Sequence, residues 1–517
     1  MFNMKQLLKH ENLLGFTFLA FVASIPFQIR MVYFTENSHL GQDYLFYNTL
    51  FLYLSDVILI FISLFFVFGL IQGKFHVKQS RIVETLLWFS GIAILSIFVS
   101  RETIGSIQLF GLFKLFIGIL LFICLSASTS PISHSFKYPE TDELEEDRSQ
   151  ENTEKPMFHV KHWFLWLILA ISVFQAIIGI TQYFSQESIG LGFLGEEYLR
   201  TYLPGVAKFQ IPGAEKWVFD RIFDVSYGTN LVMRPYGTFS HPNVFGAFMF
   251  FSSLISLYLL YVSRETWKRG VFSAVLFLQI FCGFLSFSRV AVLSWIIAIL
   301  FWFLLVRFRG NTKSDISRPQ LIKAEGWKEL KNILSTVIIA SAISVALLFP
   351  QYLDRGGVVS YGTTNEEAIS DRALYQKIAI EMIKARPLVG VGYQSFALQM
   401  DNYSLIKLEN HQHQPVHNIY LLIAAETGLL GLAAFMIFVF FVLIAGWKKR
   451  KNLLVATFLS VFIMLLIIGL FDHYPITIQQ GRLMLFLSAG IIVGLSVPRN
   501  KAEQGISKNQ QILPLNT

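Results

Sequence analysis

Long apolar runs constrain this chain more than any other feature of its sequence. A helix that crosses the hydrocarbon core of a bilayer needs about 20 predominantly apolar residues, and runs of that kind recur along the chain. Hydrophobic residues make up 54% of the sequence and charged residues 15%, against roughly 45–50% and about 25% in soluble domains. We therefore predict an all-α, polytopic membrane protein with about twelve transmembrane helices. The predicted spans are residues 13–29, 48–71, 83–99, 104–127, 162–184, 243–262, 271–287, 289–306, 332–349, 417–446, 453–471 and 480–497.

The positive charges fall in short loops between the predicted spans. The formal net charge is +8, but its placement matches the enrichment of Lys and Arg in cytoplasmic loops and requires no nucleic-acid partner. Turns on the other side carry single cations, as at Arg101 and Arg289. We therefore expect a protein of the cytoplasmic membrane with both termini in the cytoplasm. The cytoplasmic clusters are Lys74, Lys78 and Arg81; Arg264, Lys268 and Arg269; Arg307, Arg309, Lys313 and Arg318; and Lys448, Lys449, Arg450 and Lys451.

Changes in composition divide the predicted chain into four parts. Between two membrane halves lies the acidic run ETDELEEDRSQE, which has little to bury and is typical of a disordered cytoplasmic linker. The predicted parts are four N-terminal transmembrane helices (1–127), the linker (128–161), a transmembrane core with outer loops 185–242 and 350–416 (162–498), and a cytoplasmic tail (499–517).

The larger outer loop contains an amphipathic helix. Its apolar residues recur at helical spacing between polar ones, and Pro387 ends the pattern. We predict a helix from about Asp371 that lies on the membrane surface. A loop of this length within a compact fold is usually functional. The apolar stripe consists of Leu374, Ile378, Met382 and Ala385.

Unusual polar residues gather at the outer ends of the predicted spans. Ionisable groups near membrane depth cost free energy and usually face a cavity or a partner, so we take these residues as candidates for a site. Each also has an ordinary structural interpretation: Arg289 as an interfacial cation, Arg234 and Arg372 as solvated loop residues, and His241 as a turn residue before Pro242. The candidates are Arg234, His241, Asn243, Arg289, Arg372, His417, Asn418, Asp472, His473 and Arg482.

The stretch PVHNIYLLIAAETGLLG places His417 at the start of a long apolar helix. Glu426 lies nine residues further, on the opposite helix face and roughly 13 Å deeper, which favours a packing role over an acidic catalytic one. On the helix face shared with His417, the side chains become smaller with depth in the membrane. Such a stripe of small residues permits close approach of another helix, or of an acyl or polyprenyl chain. Its members are Leu421, Ala424, Gly428 and Gly431.

Neither the histidines nor the cysteines predict a metal centre. His411, His413 and His417 in HQHQPVH match no common ligand spacing and have no interleaved carboxylate. Cys124 and Cys282 lie inside apolar runs, so no disulfide framework or thiolate site is expected.

The candidate residues fit one type of chemistry. Several arginines beside a helix N-terminus make an anion site, and arginine binds phosphate through paired hydrogen bonds. The helix N-terminus also favours a neutral His417, which can act as a general base toward a hydroxyl. No nucleotide-binding loop or pair of metal-binding carboxylates is present. We therefore expect sugar transfer from a lipid pyrophosphate without cofactor or metal.

Four segments between Arg234 and Asp472 resemble the O-antigen ligase and polymerase family. They are RPYGTFSHPNVFGAFM, SFSRVAVLSW, DRALYQKIAIEMIKARPLVGVGYQSF and HNIYLLIAAETGLLG, in this order. The resemblance implies a metal-independent, inverting transferase of the membrane-embedded GT-C type that uses an undecaprenyl-pyrophosphate-linked glycan. It matches the family's essential arginine near the membrane to Arg289, its large-loop arginine to Arg372 and its large-loop histidine to His417.

The shared motifs leave the acceptor open. A ligase transfers finished glycan to lipid A core, a polymerase to another lipid-linked repeat, and an oligosaccharyltransferase to protein. A different class, a twelve-span transporter or lipid-linked glycan flippase, is also open, although the two halves show no repeat of broken helices and the polar residues lie at one face.

Overall fold

The computed structural model describes residues 10–40, 43–72, 81–100, 105–135, 163–203, 205–210, 231–308, 319–355 and 364–496. Helices dominate these residues, as the apolar runs predict. The helices are α1 (His10–Ser24), α2 (Leu54–Ile71), α3 (Arg81–Val99), α4 (Ser106–Ser135), α5 (Trp163–Ser185), α6 (Pro242–Val262), α7 (Thr266–Leu285), α8 (Arg289–Arg307), α9 (Pro319–Arg355), α10 (Thr364–Ala385), α11 (Phe396–Tyr403), α12 (Ile419–Lys448), α13 (Leu453–Ile468), α14 (Tyr474–Thr477) and α15 (Gln479–Ser496).

Short strands connect some of the helices. They form three antiparallel two-stranded ladders: β1 (Arg30–Tyr33) with β4 (Leu50–Tyr53), β2 (His39–Leu40) with β3 (Asp43–Tyr44), and β5 (Lys208–Gln210) with β6 (Leu231–Met233). In the first ladder Arg30 pairs with Tyr53, so the segment between α1 and α2 folds back on itself.

Nine helices within the described residues are long and apolar enough to cross a membrane, which confirms a polytopic membrane protein. The other three predicted spans correspond to α1, α13 and α15, of 15, 16 and 18 residues. At 1.5 Å per residue α1 and α13 are about 22–24 Å long, less than the roughly 30 Å hydrocarbon core. Helix α15 is as long as α2 but begins with the polar residues Gln479, Gln480 and Arg482. The count of twelve and the orientation of the termini therefore stay predictions. The nine are α2 to α9 and α12.

Helix α6 lies at the centre of the bundle. In its most apolar stretch of 18 residues, 94% of the residues are buried, and the helix packs against α5, α7, α8 and α13. A helix that is apolar all round is buried all round, and α6 has that composition. Its N-terminus at His241–Asn243 is consequently held in a fixed place relative to its neighbours.

The amphipathic helix α10 is confirmed and begins earlier than predicted, at Thr364. Its apolar face does not lie against lipid as predicted, because Tyr375, Ile378 and Met382 are buried in a small core with Val416 and Leu422 of the α12 region. The helix is therefore attached to the protein itself and fixed near the start of α12.

Parts of the predicted linker and tail lie outside the described residues. Helix α4 continues to Ser135, eight residues past the predicted boundary at 127, and residues 136–162 and 497–517 are not described. Disorder of the linker stays a prediction.

Helix α12 is broken at Gly428, whose φ of 71° and ψ of −177° are almost exclusive to glycine. The segment 387–392 runs beside the break: Leu429 N–H donates to the Pro387 carbonyl (2.8 Å) and Val391 N–H to that of Ala425 (2.9 Å). The predicted small-residue stripe therefore does approach another part of the protein closely. It does not form an open groove for a lipid chain at Gly428, because segment 387–392 occupies that space.

Glu426 lies at the same break and is 6% exposed. Its Oε1 accepts a hydrogen bond from Phe396 N–H (3.2 Å), at the start of α11. The carboxyl group thus joins α12 to the start of α11, which is the packing role predicted from its helix face.

Replacing Gly428 with Ala should destabilise the protein. An added Cβ would lie 2.1 Å from the Leu388 carbonyl oxygen, and the backbone conformation itself costs a non-glycine residue about 1–3 kcal/mol. The melting temperature of the detergent-solubilised protein measures this. Gly91→Ala in α3 is the control, since nothing lies within 4 Å of its added Cβ; equal melting temperatures for both variants would contradict the prediction.

Candidate active site

Three titratable side chains meet where α12 begins and α13 ends. His417 precedes α12, and Asp472 and His473 follow α13; one ligand atom from each lies within 4.8 Å of the others. The imidazole rings of His417 and His473 are 4.9 Å apart between centroids, at 70°. We call these three residues the His–Asp–His cluster. Asp472 and His473 are neighbours in the sequence, but 55 residues separate His417 from Asp472. Only the packing of α12 against α13 therefore assembles the cluster.

Backbone contacts fix the two ends of the helices to each other. Ile419 N–H donates to the Gly469 carbonyl (2.8 Å), and the Asn418 amide donates to the Leu470 carbonyl (3.0 Å). The Asn418 Oδ1 also accepts from the N–H groups of Tyr420 (2.9 Å) and Leu421 (3.0 Å). Asn418, predicted to bind substrate, thus caps α12 and connects it to α13.

A chain of hydrogen bonds from α6 positions Asp472. Arg234 Nη2 donates to Asn243 Oδ1 (2.7 Å), and Asn243 Nδ2 donates to Asp472 Oδ2 (2.9 Å). Arg234 is 3% exposed, and its Nε donates to the Ser286 carbonyl (2.9 Å). These contacts make Arg234 and Asn243 positioning residues for Asp472; a direct contact of either with substrate stays a prediction.

His241 caps the N-terminus of α6. Its Nδ1 accepts a hydrogen bond from Asn243 N–H (3.1 Å), which agrees with its interpretation as a turn residue. Burial by itself would raise the pKa of Asp472, but the charges that His417, His473 and His241 carry when they are protonated, together with the bond from Asn243, outweigh burial and lower that pKa. Asp472 is therefore the negative charge of the site at neutral pH.

His473 is buried and held in one tautomer. Its Nδ1 lies 2.7 Å from Thr477 Oγ1, and the Thr477 hydroxyl donates its hydrogen to the His473 carbonyl (3.1 Å). Since a hydroxyl has one hydrogen, Nδ1 must be the donor to Thr477, which leaves Nε2 with its lone pair. Burial, the charge that His417 carries when protonated and the charge of Arg372 lower the pKa of His473 to about 3 against the opposing effect of Asp472, so the ring is neutral.

His417 has a ring nitrogen, Nδ1, that is buried and has no hydrogen-bond partner among the described residues. Its ring is stacked on Tyr375 of α10, with centroids 5.8 Å apart at 12°. Burial lowers its pKa, Asp472 opposes this, and the charge of Arg372 adds to it. The ring is consequently neutral at pH 7 and able to accept a proton.

The remaining predicted arginines differ in their surroundings. Arg372 is exposed on α10 and close enough for its charge to act on both histidines. Arg289 is exposed at the first position of α8, and the described structure gives it no direct contact with the His–Asp–His cluster. Arg482 donates from Nη2 to the Thr477 carbonyl (3.2 Å) and so reaches the cluster through Thr477.

The sequence interpretation missed three residues of this site. Tyr375 stacks on His417, Thr477 bonds His473, and the Tyr47 ring lies 5.3 Å from that of His473 at 86°. Tyr375 was hidden in the apolar face of α10. Tyr47 belongs to a segment before α2 that contains no recognisable motif. Its contact with His473 could not be predicted from the sequence, because it depends on the fold of the segment between β1 and β4.

The His–Asp–His cluster could hold a metal ion by the spacing of its ligand atoms. Of the three histidines in HQHQPVH, the cluster contains His417 alone. His411 is exposed and lies beside Glu409, and His413 Nε2 lies 3.1 Å from Asp401 Oδ2. The positive charge of Arg372 acts on both cluster histidines and disfavours a cation there.

Comparison with known proteins identifies part of the chain. A family model described as O-antigen ligase matches residues 273–436, a range that contains Arg289, Arg372 and His417 but neither Asp472 nor His473. A search of curated proteins found no match. The resemblance seen in the sequence is confirmed over this range, and the chain is a multi-pass membrane protein that contains an O-antigen ligase domain.

Proposed function

We propose that the protein is a glycosyltransferase of cell-envelope polysaccharide biosynthesis. It moves a glycan from an undecaprenyl-pyrophosphate donor to an acceptor hydroxyl on the outer face of the cytoplasmic membrane. The observation that carries this proposal is a neutral His417 with an unpartnered ring nitrogen beside Asp472, at the start of a helix in the O-antigen ligase domain.

In the proposed reaction His417 is the general base. A ring nitrogen takes the proton of the acceptor hydroxyl while the oxygen attacks the anomeric carbon of the donor sugar. The bond from that carbon to the pyrophosphate oxygen breaks, its electron pair leaves with undecaprenyl pyrophosphate, and the configuration inverts. The negative charge of Asp472 favours the imidazolium that forms on His417. Arg234 and Asn243 hold Asp472 in place for this role.

The leaving pyrophosphate is proposed to bind to Arg289 and Arg372. Both are exposed, so both have N–H groups available to a ligand from outside the protein. Guanidinium groups bind phosphate oxygens with paired, charge-assisted hydrogen bonds. Arg372 combines this role with an effect on His417, whose neutral form it favours.

Transfer by purified protein tests this function. Protein in lipid vesicles with an undecaprenyl-pyrophosphate glycan should release undecaprenyl pyrophosphate and yield longer or transferred glycan. Offering core lipid, a second lipid-linked repeat and protein as acceptors separates a ligase, a polymerase and an oligosaccharyltransferase. Movement of the lipid-linked glycan across the bilayer without chemical change would instead show a transporter or flippase.

Removal of metal should not affect the reaction. We expect rates with EDTA to stay within about twofold of the untreated rate, because His417 and the arginines supply the base and the positive charge. The measurement is the rate of undecaprenyl pyrophosphate release with EDTA and after re-addition of Mg²⁺, Mn²⁺ or Zn²⁺. A large loss with EDTA that one of these ions restores would show that the cluster works as a metal centre.

A further inference from the structure

Arg482 is a half-buried arginine with most of its hydrogen-bonding capacity unused. It is the fourth residue of α15, and its Nε is buried with no partner among the described residues. A guanidinium carries five N–H donors, and the bond to the Thr477 carbonyl (3.2 Å) accounts for one. A buried donor without an acceptor costs free energy, so this geometry calls for a ligand or water at that edge.

The charges around Arg482 do not cancel. Asp56 and Glu426 are the acidic groups near this region. Asp56 is already bonded to Lys114, to Gln479 Nε2 (2.7 Å) and to Tyr53 N–H (2.9 Å), and Glu426 accepts a hydrogen bond from Phe396 N–H (3.2 Å). Lys114 and Asp56 therefore neutralise each other, and Arg482 has no ion-pair partner within the described part of the chain. Its positive charge is therefore not balanced by an ion pair with a described residue.

Two tyrosines lie within reach of the charge of Arg482. Burial raises the pKa of Tyr393 to about 12, and the charge of Arg482 opposes that rise; its charge acts on Tyr53 in the same sense. Lys114 Nζ lies 4.7 Å from the centroid of the Tyr53 ring. The charge of Arg482 thus acts on buried aromatic groups in a part of the interior where the guanidinium has no paired acid among the described residues, and ionisable groups placed in this way usually have a functional partner.

Thr477 connects this region to the His–Asp–His cluster. Its carbonyl accepts from Arg482 (3.2 Å), and its hydroxyl lies 2.7 Å from Nδ1 of His473. His473 in turn contacts His417, the proposed base. A glycan whose reacting hydroxyl lies at His417 can therefore place another of its sugars near Arg482.

We propose that Arg482 is the centre of an anion subsite that binds the carboxylate of an acidic sugar in the substrate glycan. This inference rests on the proposed function and adds the substrate class. A carboxylate matches the free edge of a guanidinium, with which it forms two parallel hydrogen bonds. The exposed arginines, Arg289 and Arg372, are proposed to bind the pyrophosphate. The unpaired charge of Arg482 is therefore available to bind the sugar portion of the substrate.

A matched pair of substrates tests the subsite. Both are undecaprenyl-pyrophosphate glycans, one with a hexuronic acid and the other with its carboxyl reduced to a primary alcohol. Wild-type protein should prefer the acidic glycan at least about tenfold in kcat/KM, since charged hydrogen bonds are worth a factor of roughly ten to a hundred. Arg482→Gln should lose this preference, because kcat/KM for the acidic glycan should fall at least about tenfold further than kcat/KM for the reduced glycan, through a higher KM for the acidic glycan. Arg482→Lys should keep part of the preference.

Arg200→Gln is the control, because it removes an outer-loop arginine whose guanidinium is paired with Glu187. It should retain the wild-type preference. Equal use of both glycans by wild-type protein would overturn the subsite, as would an equal loss on both in Arg482→Gln, which would indicate a pyrophosphate contact or a packing defect.

Binding can be measured separately from transfer. The acidic glycan lipid should raise the melting temperature of wild-type protein more than the reduced one, and Arg482→Gln should abolish that difference. This readout decides the subsite even if no transfer occurs, an outcome that would count against the proposed function alone.

Discussion

Replacing His417 with Gln should lower the rate of glycan transfer by about 10²–10⁴-fold, the usual contribution of a general base. The ring has an unpartnered nitrogen and lies beside Asp472, and glutamine is similar in polarity but cannot take the proton. Initial rates of undecaprenyl pyrophosphate release measure the effect. His411→Gln is the control, since that side chain is 67% exposed and outside the cluster.

The pH profile should carry the signature of the same base. Burial lowers the pKa of His417, so the neutral form persists below the ordinary histidine value of about 6.5. The rate should fall as the pH drops through that lowered pKa, because protonated His417 can no longer accept a proton. A His417→Gln variant that is inserted normally and fully active would refute the role of His417 as base.

Replacing Arg289 or Arg372 with Gln should reduce transfer by about 10²–10³-fold each, the usual effect of removing one preorganised donor to a developing charge. Both guanidinium groups are exposed, and both residues lie within 273–436, the range that matches the O-antigen ligase model. Rates at varied donor concentration measure the loss. Lys377→Gln is the matched control, because it removes one exposed positive charge from the same helix as Arg372.

The two arginine variants should differ in their pH profiles. The charge of Arg372 lowers the pKa of His417, so Arg372→Gln should move the acid limb of the rate to higher pH. No such effect is expected for Arg289→Gln, since no contact joins Arg289 to the cluster in the described residues. Unchanged donor kinetics in both variants would exclude the proposed pyrophosphate contacts.

Local patterns were sufficient to predict the nine helices of the described residues that can cross a membrane and the resemblance over residues 273–436. The apolar runs determine which segments can cross a bilayer, because burial in lipid depends on about 20 consecutive residues. The spacing of Leu374, Ile378 and Met382 similarly determined that α10 is an amphipathic helix. The nine-residue separation of His417 and Glu426 placed them on opposite faces of one helix, and Glu426 is indeed bonded away from the cluster.

Roles that depend on a distant partner could not be predicted in this way. Arg234 looks the same in the sequence as Arg372, yet it is buried against Asn243 and Ser286 while Arg372 is exposed. The small residues around Gly428 predicted that another part of the structure packs closely there, but they did not show which part. In the structure segment 387–392 packs against Gly428. Periodicity shows which face of a helix is apolar without showing which element covers that face.

The sequence by itself determined that this protein is a polytopic membrane protein with His417 at the N-terminus of a helix. Only the tertiary structure decided that Asp472 and His473 meet His417, that Tyr47 and Tyr375 flank the two histidines, and that Arg482 has no counter-ion among the described residues. The physical reason is that helix formation depends on neighbours along the chain. Hydrogen bonds, burial and the resulting pKa values depend instead on side chains that the packing of α12, α13 and α15 brings together.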